Sequence, residues 1–399
     1  MQISNRTQSV KPSATVTING KASQLKAQGI DIINLSVGEP DFDTPQSIKD
    51  AAIKAINAGY TKYTAVDGIP ALKDAIIQKF QNENNLTYTR DEILVSCGAK
   101  QSFYNLMQAV INPGDEVIIP APYWVSYPAM VALADGVSVI ISANIESRFK
   151  ITPEQLEKAI TPKTRILILN SPSNPTGMAY TLDELKALSI VLLKHPHVLI
   201  ASDDMYEHIL WGINPYVNIL NACPELTDRT IICNGVSKAY AMTGWRIGYA
   251  AGPLSIIKAM TKIQSHSTSN PTSISQYAAI AGLTGEKQFI ANLKHVFKER
   301  HDYFQKALAA IPGVICPPAD GAFYVFPDVK KAIARLGLKD DIALSELILE
   351  KAHVAVVPGT EFGAPGFIRL SYATNIDTLR KAVERLTPYI IGTESSGSS

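Results

Sequence analysis

The chain comprises 399 residues, of which 46% are hydrophobic and 18% are charged, and its formal net charge at pH 7 is +1. This composition excludes a largely disordered chain, and the small net charge excludes a bulk attraction to nucleic acid or to an anionic membrane. The length exceeds that of one ordinary hydrophobic core, so two domains are expected.

Nothing in the sequence predicts export, membrane insertion or a structural metal. The first residues are polar, and no apolar stretch approaches the ~18 residues that a membrane span needs. The four cysteines are scattered along the chain and form no CxxC pair: Cys97, Cys223, Cys233 and Cys316. Such cysteines are typical of reduced thiols rather than of a disulfide or zinc framework. We therefore predict a cytoplasmic protein without a metal site.

Short apolar runs alternate with longer amphipathic stretches through the middle of the chain. The apolar runs predict strands at 92–96, 116–120, 137–142, 165–170, 198–203, 230–234 and 247–251. The amphipathic stretches predict helices that include 101–110, 182–194, 256–264 and 273–283. This alternation is typical of a mostly parallel sheet covered by helices on both faces. The predicted fold class is α/β, with a large three-layer domain over residues 47–286.

Both ends of the chain depart from this alternation. Residues 1–46 read as a polar arm and a short segment that ends with residues 38–45. Residues 287–392 combine a charged helix pattern with a helix candidate near 342–351 and strand candidates at 321–326 and 367–372. We predict that both ends join in one small α+β domain beside the large one, and that the Gly/Ser-rich tail 393–399 is disordered.

Three polar segments directly follow predicted strands, namely 170–177, 203–206 and 235–238. In open parallel sheets, ligands bind beyond the carboxyl ends of the strands. We therefore expect these three segments to meet at one binding site.

Two residues of these segments point to a particular cofactor. Lys238 stands eight residues before Arg246, and a buried lysine beside a cation loses its proton readily, which suits a Schiff-base lysine. Asp203 ends a strand run, where a carboxylate could keep a pyridine nitrogen protonated; its neighbour Asp204 is a competitor for this role. Together they predict a site that holds and tunes pyridoxal 5′-phosphate.

The remaining groups of the site fit the rest of that cofactor. Tyr206 and Asn174 are predicted to hydrogen-bond its phenolic oxygen, and Trp124 to stack on its ring. Backbone N–H groups at a helix start bind anions, and hydroxyl and guanidinium groups add donors. The predicted phosphate site accordingly consists of Gly98, Ala99, Lys100, Ser237 and Arg246.

Arg369 lies inside the apolar run 367–372. A buried guanidinium without a partner costs several kcal/mol, about 2–7 even for a neutral polar group. A substrate α-carboxylate, bound by two parallel hydrogen bonds, is a fitting partner; a structural salt bridge is the alternative.

Taken together, these motifs resemble the class I, fold-type-I pyridoxal-phosphate-dependent aminotransferases, and in particular the bacterial aspartate aminotransferase subgroup. The resemblance runs from about residue 11 to residue 382 and rests on the segments 11–16, 37–42, 63–70, 122–128, 170–177, 237–249 and 369–374. It implies a fold-type-I large domain, Lys238 as the lysine that carries the cofactor and moves the proton, and Arg369 on the α-carboxylate.

The resemblance also implies the reaction and its remaining residues. It implies Gly38 and Asn174 at the substrate, and Lys100 with Thr15 at a distal carboxylate. It implies a homodimer with shared active sites, in which Tyr63 reaches the phosphate of the neighbouring subunit, and no nucleic-acid or membrane partner. The implied reaction moves the amino group of L-aspartate to 2-oxoglutarate by a ping-pong mechanism. The same chemistry on prephenate, aromatic amino acids, alanine or kynurenine is the alternative.

Two features depart from the resembled pattern. Gly235 stands where some members have a hydroxyl that binds the phosphate, and no arginine matches the second carboxylate clamp that several members use. Because a single ammonium is a less directional clamp than a guanidinium, we expect a broader substrate range. A cofactor-sensing regulator built on this fold is disfavoured, since too few residues precede the fold to form a DNA-binding module.

Overall fold

The computed structural model describes residues 3–10, 12, 14–212 and 215–393, without the side chains of Ala14 and Thr15. The amino-terminal segment contains two helices and a short strand: α1 (Asn5–Gln8), α2 (Ala14–Ala27) and β1 (Ile33–Asn34). The tail predicted to be disordered, 393–399, lies outside the described residues from residue 394 onward.

The central part of the chain alternates helices and strands as predicted. Its helices are α3 (Gln46–Asn57), α4 (Pro70–Asn84), α5 (Ala99–Val110), α6 (Ser126–Leu133), α7 (Pro153–Ala159), α8 (Leu182–Lys194), α9 (Ile219–Ala222), α10 (Leu254–Ser265) and α11 (Ser273–Thr284). Its strands are β2 (Ile93–Ser96), β3 (Glu116–Ala121), β4 (Val137–Ser142), β5 (Thr164–Asn170), β6 (Leu199–Asp203), β7 (Thr230–Gly235) and β8 (Gly248–Ala251). Each predicted strand lies within one residue of its observed bounds.

The central strands form one seven-stranded sheet in the order β2-β8-β7-β6-β5-β3-β4. Strands β3 to β7 pair in parallel, whereas β8 runs antiparallel to both its neighbours. Alternate residues of β5 enter two different cores: Leu167 packs in the core that contains Leu188 of α8, and Ile168 packs in the core that contains Phe103 of α5. Helices thus cover both faces of the sheet, which confirms the predicted α/β fold class.

The carboxyl-terminal part carries smaller sheets. Its helices are α12 (Gln288–Ala309), α13 (Lys330–Arg335), α14 (Asp341–Leu347) and α15 (Ile376–Ile391), and its strands are β9 (Tyr324–Val325), β10 (Val354–Ala355), β11 (Val357–Pro358) and β12 (Ile368–Ser371). Strands β11, β12 and β9 form an antiparallel sheet in this order, and β10 pairs in parallel with β1 from the other end of the chain. A small domain built from both chain ends requires such a pairing; the domain boundaries stay a prediction.

Two local predictions differ from the structure. The helix predicted near 342–351 changes to a π-helical turn over Ile348–Ala352, and the strand candidate at 321–326 is reduced to β9. Within the described ranges, no helix combines the length and the hydropathy that a membrane crossing requires.

Candidate active site

A cavity of about 300 Å³ opens where β5, β6 and the segment after β7 end. The predicted site residues that line it are Gly38, Ala99, Lys100, Trp124, Asn174, Asp203, Tyr206, Ser237, Lys238, Arg246 and Arg369. Because these residues come from segments far apart in the sequence, the fold brings them together as the parallel-sheet argument predicts.

Two predicted residues of the described part of the chain, Gly98 and Tyr63, do not line this cavity. Gly98 directly precedes the lining residue Ala99 and begins α5 with a φ of 82°. Tyr63 is 92% exposed and does not line the cavity, so its role in a neighbouring subunit stays a prediction. The side chain of Thr15 lies outside the described part of the chain, so its predicted role stays a prediction.

Lys238 places its ammonium inside the cavity. Its Nζ donates a hydrogen bond of 2.6 Å to the carbonyl oxygen of Gly38. Burial lowers the pKa of Lys238 to about 8; Glu39 opposes this effect, and the cations Arg246, Arg369 and Lys100 add to it. The amine is therefore partly deprotonated near neutral pH, as a nucleophilic lysine must be.

Asp203 supplies a buried carboxyl group to the same cavity. Its Oδ2 accepts a 2.5 Å hydrogen bond from the Tyr127 hydroxyl, and its Oδ1 accepts one of 3.2 Å from the backbone N–H of Met205. Burial raises the pKa of Asp203 to about 6, although both hydrogen bonds and Lys238 act in the opposite direction. A cation bound next to this carboxyl would relieve the cost of its buried charge.

Asp204 faces away from the cavity and belongs to a separate polar cluster. Its carboxylate oxygens accept hydrogen bonds from Ser202 at 2.6 Å and from Asn218 at 3.3 Å. Consecutive residues at the end of a strand point to opposite faces of the sheet. Of the Asp203-Asp204 pair, only Asp203 therefore reaches the cavity.

Arg369 is 2% exposed and lines the cavity. Its Nη1 donates to Asn174 Oδ1 at 2.9 Å and its Nη2 to the carbonyl oxygen of Ser36 at 2.6 Å. The rings of Tyr324 and Phe362 lie 4.5 and 5.0 Å from its guanidinium carbon. No carboxylate of the described residues forms a salt bridge with Arg369, and its Nε has no partner among them. A structural salt bridge is thus not found there, and the charge is available to an anionic ligand.

An anion-binding cradle lies at the amino-terminal end of α5. No side chain caps this end, so that its first N–H groups face outward. Arg246 packs directly over Gly98, where a Cβ would lie 2.3 Å from Arg246 Nη2. Among the described residues, Arg246 donates to the backbone carbonyls of Thr243 and Cys97 and forms no salt bridge, so no carboxylate there neutralises its charge.

Gly235 has a steric reason for lacking a side chain. A Cβ at Gly235 would lie 2.9 Å from the Cα of Gly248 and 3.0 Å from the carbonyl oxygen of Ile247. A hydroxyl-bearing residue would not fit without moving β8. Ser237, which lines the cavity two residues later, is the nearby hydroxyl that this chain offers instead.

Lys100 and Trp124 form one wall of the cavity. The Lys100 Nζ lies 5.0 Å from the centre of the Trp124 ring, and burial, with a contribution from Arg246, lowers the pKa of Lys100. Together with Lys238 and Arg369, these side chains make the cavity strongly cationic. It is suited to a ligand set that carries several anionic groups.

Sequence reasoning missed several residues at or next to the cavity, and two of them are tyrosines whose hydroxyls contact predicted site residues. Tyr127, whose hydroxyl binds Asp203, lies inside the motif 122–128 but was assigned no role. Tyr324 lines the cavity, and its hydroxyl lies 2.9 Å from that of Tyr206. A phenol within the apolar run 321–326 was the available signal for the second of these.

The fold and this cavity define an α/β enzyme whose buried amine and surrounding cations lie at the carboxyl edge of a mostly parallel sheet. The chain matches the family described as aminotransferase class I and II over residues 30–386, and it belongs to this family.

Relatives and solved structures agree with this assignment. The chain is 57% identical over 392 residues to an aspartate/prephenate aminotransferase of Nitrosomonas europaea, which covers 97% of this chain and 99% of the relative. It is 53% identical over 386 residues to an aspartate aminotransferase of Geobacillus stearothermophilus, covering 97% and 98%. The crystal structure of the aspartate aminotransferase from Rhizobium meliloti superimposes with a TM-score of 0.94 at 47% identity, covering 98% and 99% of the two chains. That of Thermus thermophilus with maleate gives 0.92 at 43% identity, covering 98% and 100%.

Proposed function

We propose that this aminotransferase uses pyridoxal 5′-phosphate to move the amino group of L-aspartate to 2-oxoglutarate, giving oxaloacetate and L-glutamate. The observation that carries the proposal is the convergence of Lys238, Asp203 and Arg369 on one cavity. The relatives at 57% and 53% identity are named aspartate/prephenate and aspartate aminotransferases, which supports aspartate as the amino donor.

The residues around the cavity fit this cofactor at each of its polar groups. The uncapped start of α5, together with Arg246 and Ser237, matches a phosphate. The buried carboxyl of Asp203 matches a protonated ring nitrogen, and Lys238 lies in the same cavity. When bound, this cofactor delocalises the negative charge that remains after the substrate Cα loses its proton.

Lys238 is proposed to move the substrate proton. An amine with a pKa of about 8 exists in both protonation states near neutral pH, so it can accept the Cα proton and return it elsewhere. Its hydrogen bond to Gly38 is donated through an N–H, so the lone pair of the neutral amine remains free to accept the proton. A positioned acid–base group of this kind typically supplies about 10²–10⁴-fold in rate.

Arg369 is proposed to bind the substrate α-carboxylate. Hydrogen bonds to Asn174 and Ser36 and contacts with two aromatic rings already orient its guanidinium. The side chain therefore loses little conformational entropy when a carboxylate binds. Lys100, with Thr15, is proposed to attract the distal carboxylate of a dicarboxylic substrate. Prephenate is the second candidate substrate, because two relatives at 57% and 54% identity are named aspartate/prephenate aminotransferases.

We also propose a homodimer. Exposed apolar side chains cluster on α3 and the segment after it, namely Ile53, Ile56, Tyr60 and Tyr63. An apolar surface of this kind is typical of a protein–protein contact. Cytoplasmic localisation and the role of Tyr63 at the phosphate of the neighbouring subunit stay predictions.

A half-reaction screen tests the substrate assignment. The holoenzyme is mixed with single amino acids in the absence of an acceptor, and the visible absorbance of the lysine-bound cofactor is followed. We expect L-aspartate and L-glutamate to bleach this absorbance fastest, because each carries the two carboxylates that Arg369 and Lys100 can bind. Faster bleaching by alanine or phenylalanine would contradict the assignment.

Lys100→Ala should harm dicarboxylic donors selectively. A lost charge-assisted hydrogen bond, worth about 1.5–3 kcal/mol, corresponds to a roughly 10- to 100-fold fall in kcat/KM for L-aspartate. The value for L-alanine, which has no distal carboxylate, should change by less than about 3-fold, within the weak effect of a remote charge. Steady-state kinetics with both donors measure the difference.

Lys258→Ala, at an exposed position of α10, is the matched control and should leave both donors unchanged. An equal loss for both donors would contradict the role at the distal carboxylate and would place Lys100 at the cofactor phosphate instead.

A further inference from the structure

Tyr324 is a buried cavity residue that contacts three other parts of the site. It lies on β9 and is 1% exposed. Its hydroxyl lies 2.9 Å from that of Tyr206, its ring centre lies 4.5 Å from the guanidinium carbon of Arg369, and a Cβ at Gly38 would lie 2.6 Å from its hydroxyl oxygen. The proposed function gives Tyr324 no role.

The two phenols can act in series. A phenol has one proton to donate and lone pairs that accept. If Tyr206 donates its proton to the phenolic oxygen of the cofactor, its own oxygen is free to accept the proton of Tyr324. Hydrogen bonds in such a chain strengthen one another. Burial raises the pKa of both phenols, so both keep their protons at neutral pH.

The groups that face this phenol pair come from several elements. The charged and titratable ones are Arg369 on β12, Tyr372 just after it, Asp203 on β6, Tyr127 on α6 and Lys238 in the segment after β7. Arg369 lowers the pKa of both phenols, whereas Asp203 raises that of Tyr206. None of these groups stands between the two hydroxyls, which are in direct contact.

The ring of Tyr324 acts on a different group. Its centre lies 4.5 Å from the guanidinium carbon of Arg369, and the centre of the Phe362 ring lies 5.0 Å from the same carbon. Stacking on aromatic faces fixes the plane of a guanidinium, which decides whether its two N–H groups match a carboxylate.

We propose that Tyr324 is a positioning residue with two separable parts. Its hydroxyl directs the Tyr206 proton toward the phenolic oxygen of the cofactor, and its ring holds the Arg369 guanidinium in the plane that receives the substrate carboxylate. The inference rests on the proposed function, because it takes the cofactor and the carboxylate as the ligands of this cavity.

Tyr324→Phe tests the hydroxyl, since it removes one oxygen and keeps the ring. The measurement is the pH midpoint of the visible absorbance of the holoenzyme. A donor to the phenolic oxygen stabilises the deprotonated form of the lysine-bound cofactor, in which that oxygen carries more negative charge. Weakening the donor should therefore raise the midpoint, by about half a pH unit to one pH unit. The dissociation constant of succinate, an unreactive dicarboxylate, should stay within about 2-fold because the ring remains.

Tyr372→Phe is the matched control. Tyr372 is equally buried and donates to the carbonyl oxygen of Ala322 at 3.3 Å, and it does not line the cavity. Its variant should leave the midpoint unchanged. An unshifted midpoint in Tyr324→Phe, or the same shift in both variants, would overturn the role of the hydroxyl.

Tyr324→Leu tests the ring. It should raise the dissociation constant of succinate by about 3- to 30-fold in addition to shifting the midpoint. An unchanged succinate affinity in a folded leucine variant would overturn the role of the ring. If the leucine variant fails to fold, Tyr324→Phe still tests the role of the hydroxyl.

Reductive trapping separates this inference from the proposed function. If the wild-type protein yields no cofactor adduct on Lys238, the proposed function fails. If the adduct forms in the wild type and in Tyr324→Phe while the midpoint stays the same, only the inference about Tyr324 fails.

Discussion

Lys238→Ala should abolish amino transfer together with the visible absorbance of the lysine-bound cofactor. The substitution removes both the covalent attachment and the group that moves the substrate proton, and acid–base transfer alone accounts for about 10²–10⁴-fold. We therefore expect kcat to fall by at least about 10⁴-fold. The measurement combines a steady-state assay with L-aspartate and 2-oxoglutarate and the absorbance spectrum of the purified variant.

Two controls distinguish the loss of Lys238 itself from a general effect of removing a lysine or of unfolding the protein. Lys258→Ala removes an exposed lysine and should keep full activity and colour. A thermal unfolding curve of Lys238→Ala shows whether the fold survives the loss of the hydrogen bond to Gly38. A folded variant that retains either turnover or the absorbance would contradict the assignment of Lys238.

Arg369→Lys should raise KM and lower kcat/KM for every amino donor, whichever side chain the donor carries. Lysine keeps the charge but lacks the two parallel N–H groups and the planar guanidinium that contacts the rings of Tyr324 and Phe362. Each of the two hydrogen bonds to the charged carboxylate contributes about 1.5–3 kcal/mol, so losing both while the positive charge remains should lower kcat/KM by about 10²- to 10³-fold.

Arg229→Lys provides the comparison for Arg369. Arg229 donates to the backbone carbonyls of Leu192, His195 and Val198 and does not line the cavity, so its replacement should affect stability but not KM. If Arg369→Lys leaves the kinetics unchanged while lowering stability as Arg229→Lys does, the Arg369 guanidinium is structural.

The sheet could be predicted from the sequence because its central strands are buried on both faces. Such strands appear as continuous apolar runs. The run of β6 ends at Asp203 of the site, and β7 ends two residues before Ser237. The site segments could be placed at one edge for the same reason, since the carboxyl ends of parallel strands share an edge. The short strands of the carboxyl-terminal part, such as the two-residue β9, have no comparable pattern.

Contacts between distant segments could not be predicted. Tyr127 is separated by 76 residues from Asp203, and Tyr324 by 118 residues from Tyr206, so no local spacing relates the members of either pair. Only the fold reveals these partners.

The Asp203-Asp204 doublet is a case in which one step along the strand decides which carboxyl lines the cavity. The sequence alone favoured Asp203 and left Asp204 as a competitor for the same role. The alternation of side chains at the end of β6 settles which carboxyl lines the cavity: Asp203 does, and Asp204 binds Ser202 instead. Whether Asp203 meets a ring nitrogen stays part of the proposed function.

The central claim is that Lys238 carries pyridoxal 5′-phosphate. The most direct measurement is reduction of the holoenzyme with borohydride, followed by digestion and mass spectrometry of the peptides. The account predicts one cofactor adduct per chain, on the peptide that contains Lys238, with Lys100 unmodified. A protein that binds no cofactor, or an adduct at another lysine, would contradict the account.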